Sequence, residues 1–202
     1  TEAINTPDKT NAVVLGNLNI NISETHKDYP ALFMANELLG GGAFLSSRIP
    51  MRLRENEGMS YGAGTYMNSN YKYDVTNWGL YAIFNPLYKG RLDSAMHQEI
   101  DKAIAAGFTK DELTKSVSAW IEGNKTSLGM NDFLARQLRW YIRDGRDLTD
   151  FTNFESRVKA LTTDAVNAAM KKYFDKSKLV VVYGGEFDKT KPADKPAEKK
   201  GF

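Results

Sequence analysis

Cysteine is absent from the 202 residues, which excludes a disulfide framework, a thiolate nucleophile and any Cys-based zinc or iron–sulfur site. Histidine is almost as scarce. The two present, His26 and His97, lie far apart and neither has a second histidine four residues away. Zinc-dependent hydrolysis needs nitrogen or oxygen ligands that leave one position open for water, and a carboxylate to take its proton. His97-Gln98-Glu99 completes neither H-E-x-x-H nor H-x-x-E-H. Its H-x-E order is that of zinc deaminases, which also require cysteines. No metal site is therefore expected in this chain, with His26 at the surface and His97 on a helix face. Long apolar runs are also missing: none approaches the roughly 20 residues needed to cross a bilayer, so no membrane span is expected. Nor is there an excess of one charge. The 27 basic and 25 acidic residues are spread along the chain and sum to +2, which gives no strong field for nucleic acid or anionic lipid.

What is present is ordinary for a globular protein, with 42% apolar and 26% charged residues. The length suits one large domain or two small ones with a substantial core. The sequence opens at Thr1 with no basic, apolar leader, as expected of a mature product or a piece of something longer.

Residues 1–10 are polar, contain Pro7 and read as a lead-in or linker. Ala12 to Ile22 then alternates Leu18, Ile20 and Ile22 with Asn17, Asn19 and Asn21, the period of a half-buried strand. Asp28 is placed to cap a helix with Pro30 in its first turn, and Leu32, Ala35, Leu38 and Leu39 form its buried face before Gly40 ends it. From Ser46 to Glu57 a second helix, starting near Ser47, buries Ile49 and Leu53, with Pro50 tolerated in its first turn. Gly58 stops it. Tyr61 to Met67 and Tyr73 to Phe84 read as a long antiparallel hairpin with both faces covered.

Helical periods follow: Leu92, Met96, Ile100 and Ile104, ending at Gly107; a helix opened by a Thr109/Glu112 capping box; then Leu134, Leu138, Tyr141 and Ile142. A fourth carries Phe151, Phe154, Val158 and Leu161, and a fifth, capped by Thr163, carries Val166, Ala169, Met170, Tyr173 and Phe174. Leu179 to Tyr183 is a continuous apolar run, as in a strand buried on both faces. Residues 11–188 thus form an α+β domain, a mainly antiparallel sheet covered by helices. Residues 189–202 are Lys-, Pro-, Ala- and Glu-rich and are expected to be disordered, since they cannot bury enough apolar surface to offset ordering entropy.

Two features invite a functional reading. Gly40, Gly41 and Gly42 precede a helical segment, the setting of a phosphate cradle, but neither G-x-x-x-x-G-K-[ST] nor G-x-G-x-x-G is completed; a helix end and connector is the simpler reading. Arg54 lies one turn before Gly58, and Tyr61 opens the following strand. The reversal can bring guanidinium and phenol to one end of the sheet. There the arginine would donate to peptide carbonyls and the phenol to an oxygen that gains charge in a tetrahedral intermediate. The purely structural alternative is an arginine favoured by the helix C-terminus and paired with Glu57.

The opening Ala12-Val13-Val14-Leu15-Gly16, the Leu38-Leu39-Gly40-Gly41-Gly42 helix end, Ser46-Ser47-Arg48-Ile49, the segment from Leu53 through Glu55 and Gly58 to Tyr61, and the closing strand together resemble the C-terminal half of pitrilysin/insulinase-type zinc metallopeptidases, the inverzincins. That family's comparable segment looks like L-R-E-K-R-G-L-A-Y: Arg54, Gly58 and Tyr61 match, whereas Asn56 and Glu57 stand where basic residues are frequent. The resemblance implies a LuxS/insulinase-like architecture and substrate-binding roles for Arg54 and Tyr61. It also implies peptide handling by the loop of Gly40, Gly41 and Gly42. With no H-x-x-E-H here, it further implies that this chain binds no cofactor and is inactive alone. Zinc is then expected in an N-terminal zinc-binding half or a separate catalytic subunit, with a peptide as substrate and a bacterial, periplasmic setting favoured. The rival readings are a non-catalytic scaffold subunit of the same fold and an unrelated module that adds a peptide strand to its sheet edge.

Overall fold

A computed structural model describes residues 1–7, 9–42 and 47–187; the expected tail, 189–202, lies outside them. A five-stranded sheet has the order β1-β5-β2-β4-β3. The strands are β1 (Glu2–Asn5), β2 (Ala12–Ile20), β3 (Ser60–Ser69), β4 (Thr76–Phe84) and β5 (Val180–Gly185). All pairings are antiparallel except β1 with β5. The first ten residues, read as a lead-in, therefore contribute an edge strand, whose register runs from Glu2 opposite Val182 to Asn5 opposite Gly185.

The α+β class is as expected, and the helices lie on one face of the sheet. They are α1 (Tyr29–Asn36), α2 (Arg48–Pro50), α3 (Lys89–Ala105), α4 (Lys110–Leu128), α5 (Asn131–Asp144), α6 (Thr149–Lys159) and α7 (Thr163–Tyr173). Both short leading helices continue as wider π turns, α1 through Glu37–Gly41 and α2 through Met51–Asn56. Asp28 stands at the N-cap of α1 without capping it. Its carboxylate instead accepts from Lys172 Nζ at 2.9 Å and Tyr173 Oη at 2.7 Å, tying α1 to α7. The cap of α7 is Thr162, whose hydroxyl accepts from the Ala165 amide, one residue earlier than the sequence suggested.

Side-chain alternation on the strands explains the one-sided burial. Ala12, Val14, Leu18 and Ile20 of β2 and Trp78, Leu80, Ala82 and Phe84 of β4 are buried against the helices, and Trp78 meets Phe174 edge-on. The alternate residues Val13, Leu15, Tyr81, Ile83 and Val180 are exposed on the outer face. Two expectations are corrected here. Neither the hairpin nor β5 is covered on both sides, because all the described helices pack on the same side. On the outer face Asn77 bridges Asn17 and Asn19 by side-chain hydrogen bonds of 2.8 to 3.0 Å, which satisfies polar groups at the sheet centre without help from a second layer. A third correction concerns α5. Leu134, Leu138 and Ile142 face outward, Ile142 80% exposed, and only Tyr141 of the expected stripe is buried.

The capping box at α4 is present and extends further than the sequence implied. Glu112 accepts from the Thr109 amide and also from Arg48 Nε at 2.8 Å and Nη2 at 3.0 Å, joining α4 to α2. Burial alone would raise its carboxyl, but the hydrogen bonds from Arg48 and Thr109 outweigh it and hold the group down at about 2, from 4.5. Above 4.5 the carboxyl is ionised in folded and unfolded chains alike, and its full stabilisation is present. As the pH falls from 4.5 towards 2 the unfolded chain takes up the proton first, and that stabilisation is lost. Denaturant midpoints followed across this range should therefore drop more steeply for the native sequence than for Glu112→Gln; parallel profiles would refute the assignment.

Candidate functional site

The segment from Ser47 to Gly62 is fixed by its interior side. Ile49 and Leu53 are buried in the core, and the helix end closes by hydrogen bonds from the Gly58 amide to Arg54 O at 3.0 Å and from Met59 to Leu53 O at 2.9 Å. Gly58 adopts φ +61°, a left-handed conformation that a residue with a Cβ enters only at a cost. The chain then turns directly into β3. There Ser60 pairs with Phe84 while Gly62 pairs with Ile83, so Tyr61 is the additional residue of a β-bulge. The Ser60 hydroxyl supports that bulge, donating to Ile83 O at 2.8 Å and accepting from the Gly62 amide at 3.1 Å. Bulges re-aim a side chain out of the regular alternation. Tyr61 is 71% exposed.

Three arginines of this segment have different environments. Arg48 stacks on Phe108, with its guanidinium carbon 4.5 Å from the ring centroid, and donates to Glu112 and to Gly107 O. Arg52 is bound by Glu57, Glu99 and Gln98. Arg54 lies 3.6 Å from its neighbour Glu55 and has the most exposed side chain of the three, at 48%. Glu57, expected beside Arg54, pairs instead with Arg52 and with Arg91 at 3.4 Å. The two sequence-selected residues, Arg54 and Tyr61, thus stand exposed at either side of the Gly58 reversal.

Gly40, Gly41 and Gly42 end the π turn of α1. A Cβ on Gly40 would lie 2.9 Å from the Thr65 methyl and 3.0 Å from the Thr65 amide, so this glycine lets the helix end rest on β3. Thr65 completes the contact by donating to Asn36 O at 3.3 Å.

Among the described residues no group of three His, Cys, Asp or Glu side chains is placed to hold a metal ion. His26 Nδ1 accepts from the Asp28 amide, and His97 Nε2 lies 3.5 Å from Asp93. Neither belongs to a ligand set, and the residues present do not fit a zinc centre.

Two polar features escaped the sequence reading. Arg146 lies over the rings of Tyr71 and Tyr141, pairs with Glu24 at 2.7 Å and so anchors the α5–α6 turn to the loop between β2 and α1. Glu37, on the π turn of α1, carries a half-buried carboxyl whose partner among the described residues is the Asn36 amide at 3.3 Å. Its one sequence signal is a charge inside the Leu32-to-Leu39 apolar stretch.

A model of the peptidase M16 inactive domain matches residues 2–119, more than half of the chain. The chain belongs to this family: it is an inactive domain of the M16 peptidases. Among solved structures, a peptidase M16 inactive domain from Pseudomonas fluorescens superposes with TM-score 0.80 at 21% identity, over 95% of this chain and 44% of that one. A protease from Helicobacter pylori does so with TM-score 0.78 at 18% identity, over 91% and 43%. A candidate zinc protease from Bordetella pertussis Tohama I gives 0.69 at 17% identity, over 91% and 98%. The chain spans under half the length of the first two. No curated protein matches it.

The close fit of Gly40 to Thr65 makes Gly40→Ala destabilising by about 1–3 kcal/mol through overpacking. Gly62→Ala should be near neutral, since a Cβ there meets nothing within 4 Å. Urea unfolding of the two variants checks the contrast.

Proposed function

We propose that this chain is the zinc-free, substrate-gripping domain of an M16 metallopeptidase. Arg54 donates to backbone carbonyls of an extended peptide, and the Tyr61 phenol donates to the carbonyl oxygen that gains negative charge as the peptide bond is attacked. The metal ligands belong to a partner half, covalently attached or separate. One observation carries this reading: Arg54, whose side chain is 48% exposed beside Glu55, stands across the Gly58 turn from a bulged, exposed Tyr61. The partner half is supported by the 44% and 43% coverage of the first two structural relatives. The apolar outer face of the sheet supports it too. In the assembled enzyme Tyr61→Phe is expected to lower turnover roughly 100-fold or more, measured by cleavage of a fluorogenic peptide. Unchanged cleavage would remove Tyr61 from the site.

The exposed stripe of Met130, Leu134, Leu138 and Ile142 on α5 favours a second reading, a packing subunit without a proteolytic role. Under it Tyr61→Phe leaves function intact, whereas Ile142→Glu weakens assembly.

A further inference from the structure

Glu37 lines a cavity of about 400 Å³ between the glycine-ended turn of α1 and the outer half of α4. Gly41 and Gly42 form one wall and Trp120, Gly123 and Asn124 the other, and none of the described lining residues besides Glu37 is charged. Among the described residues Glu37 is therefore the single formal charge lining the cavity. Carboxylates drawn out of water are ordinarily paired with a cation or bound to a metal; Glu37 is half-buried and among the described residues has neither. Its Oε1 accepts from Asn36 Nδ2. Asn36 is itself 4% exposed, and among the described residues its Oδ1 has no partner; Asn124 Nδ2, on the α4 wall, is likewise a buried atom without a partner among them. The glycines make the room. A Cβ on Gly41 would fall 2.7 Å from Glu37 Oε1 and 2.2 Å from Asn36 Nδ2, so the carboxylate and amide pack against a bare backbone.

We propose that this cavity binds the basic side chain of a peptide, a guanidinium or alkylammonium seated on Glu37. The volume falls within the range of small-ligand pockets, and Trp120 contributes an aromatic surface of the kind that attracts cations. A divalent metal is a poor occupant, since one carboxylate is far short of the six to eight oxygens that calcium takes. An anion would meet the carboxylate. Burial raises the Glu37 carboxyl to about 7, the Asn36 hydrogen bond offsetting it only in part; a seated cation would favour the ionised form and lower it. That the basic group belongs to a peptide rests on the function proposed above, whereas the preference for a cation rests on the cavity alone.

Calorimetric titration of the chain with a blocked tripeptide carrying one arginine, and with its citrulline counterpart, tests the site. Binding of the arginine peptide is expected, with loss of roughly thirtyfold or more in affinity for citrulline and for Glu37→Gln, the usual consequence of leaving a charge unpaired. Gly123→Leu should also abolish binding. It fills the cavity from α4, where a Cβ meets nothing within 4 Å, and it raises helix propensity, so the fold is retained. Affinity should fall as the pH drops below about 7, where Glu37 takes up a proton. Equal affinity for the two peptides, binding that survives Glu37→Gln, or Glu37-dependent binding of calcium without the arginine peptide would each overturn the proposal. Arginine binding at Glu37 in a protein whose cleavage is indifferent to Tyr61→Phe would keep this site while removing the proposed function; the opposite pair of results would do the reverse.

Discussion

The bidentate contact between Arg48 and Glu112 is the constraint on which the exposed site depends. α2 is only three residues long before it widens into a π turn, too short to be stable through its own hydrogen bonds. Its position is set by Ile49 and Leu53 beneath and by Arg48 at the side, where the guanidinium also takes the Gly107 carbonyl that ends α3. Hydrogen bonds to charged groups contribute about 1.5–3 kcal/mol where partly shielded, well above an exposed pair. One arginine thus ties together α2, the end of α3 and the start of α4. Arg52 repeats the device on α3 through Glu99. Held in this way, the following reversal has little freedom to vary where Arg54 and Tyr61 emerge.

Much of the fold could be read from the residues because local chemistry and burial agree. The Thr109 capping box, the stop at Gly58 and the alternation of β2 are each determined within a few residues. The errors come from properties that no local window contains. Leu179 to Tyr183 is uniformly apolar, as a two-sided strand would be, yet Val180 is exposed because the described helices all lie on one side. Leu134, Leu138 and Ile142 have a helical core period, but the face buried on α5 is the one carrying Tyr141, which packs over Arg146. Periodicity identifies an apolar face; only tertiary structure says what covers it. The polar lead-in became β1 because the free edge of β5 accepts backbone groups whatever the side chains are.

The candidate site was legible for a different reason. Arg54 and Tyr61 were chosen by their spacing across a predicted turn, together with a family resemblance, and spacing around a glycine of positive φ survives any adjustment of helix boundaries. What spacing could not supply was the sorting of three nearby arginines. Sequence separation would have allowed Glu57 to pair with Arg54, but the wider π turn carries Glu57 to Arg52 and Arg91. Glu37 was passed over because it sits inside an apolar stretch, where one charge looks like an interruption; its meaning depends on α4, which packs across from it about eighty residues later in the chain.

The domain leaves two apolar surfaces exposed, the outer face of the sheet and one side of α5. A sheet covered on one side exposes Val13, Leu15, Ile83 and Val180 to water, at a cost that a monomer would ordinarily remove by substitution. The Asn17–Asn77–Asn19 ladder makes the same face partly polar. Tyr61 stands on a bulge braced by Ser60 and Arg54 on a helix end braced by Arg48 and Arg52, none of which calls for histidine or cysteine. Nothing in the bracing of Arg54 and Tyr61 depends on a metal, so the absence of a ligand set among the described residues and the exposure of these two side chains are independent properties of the fold.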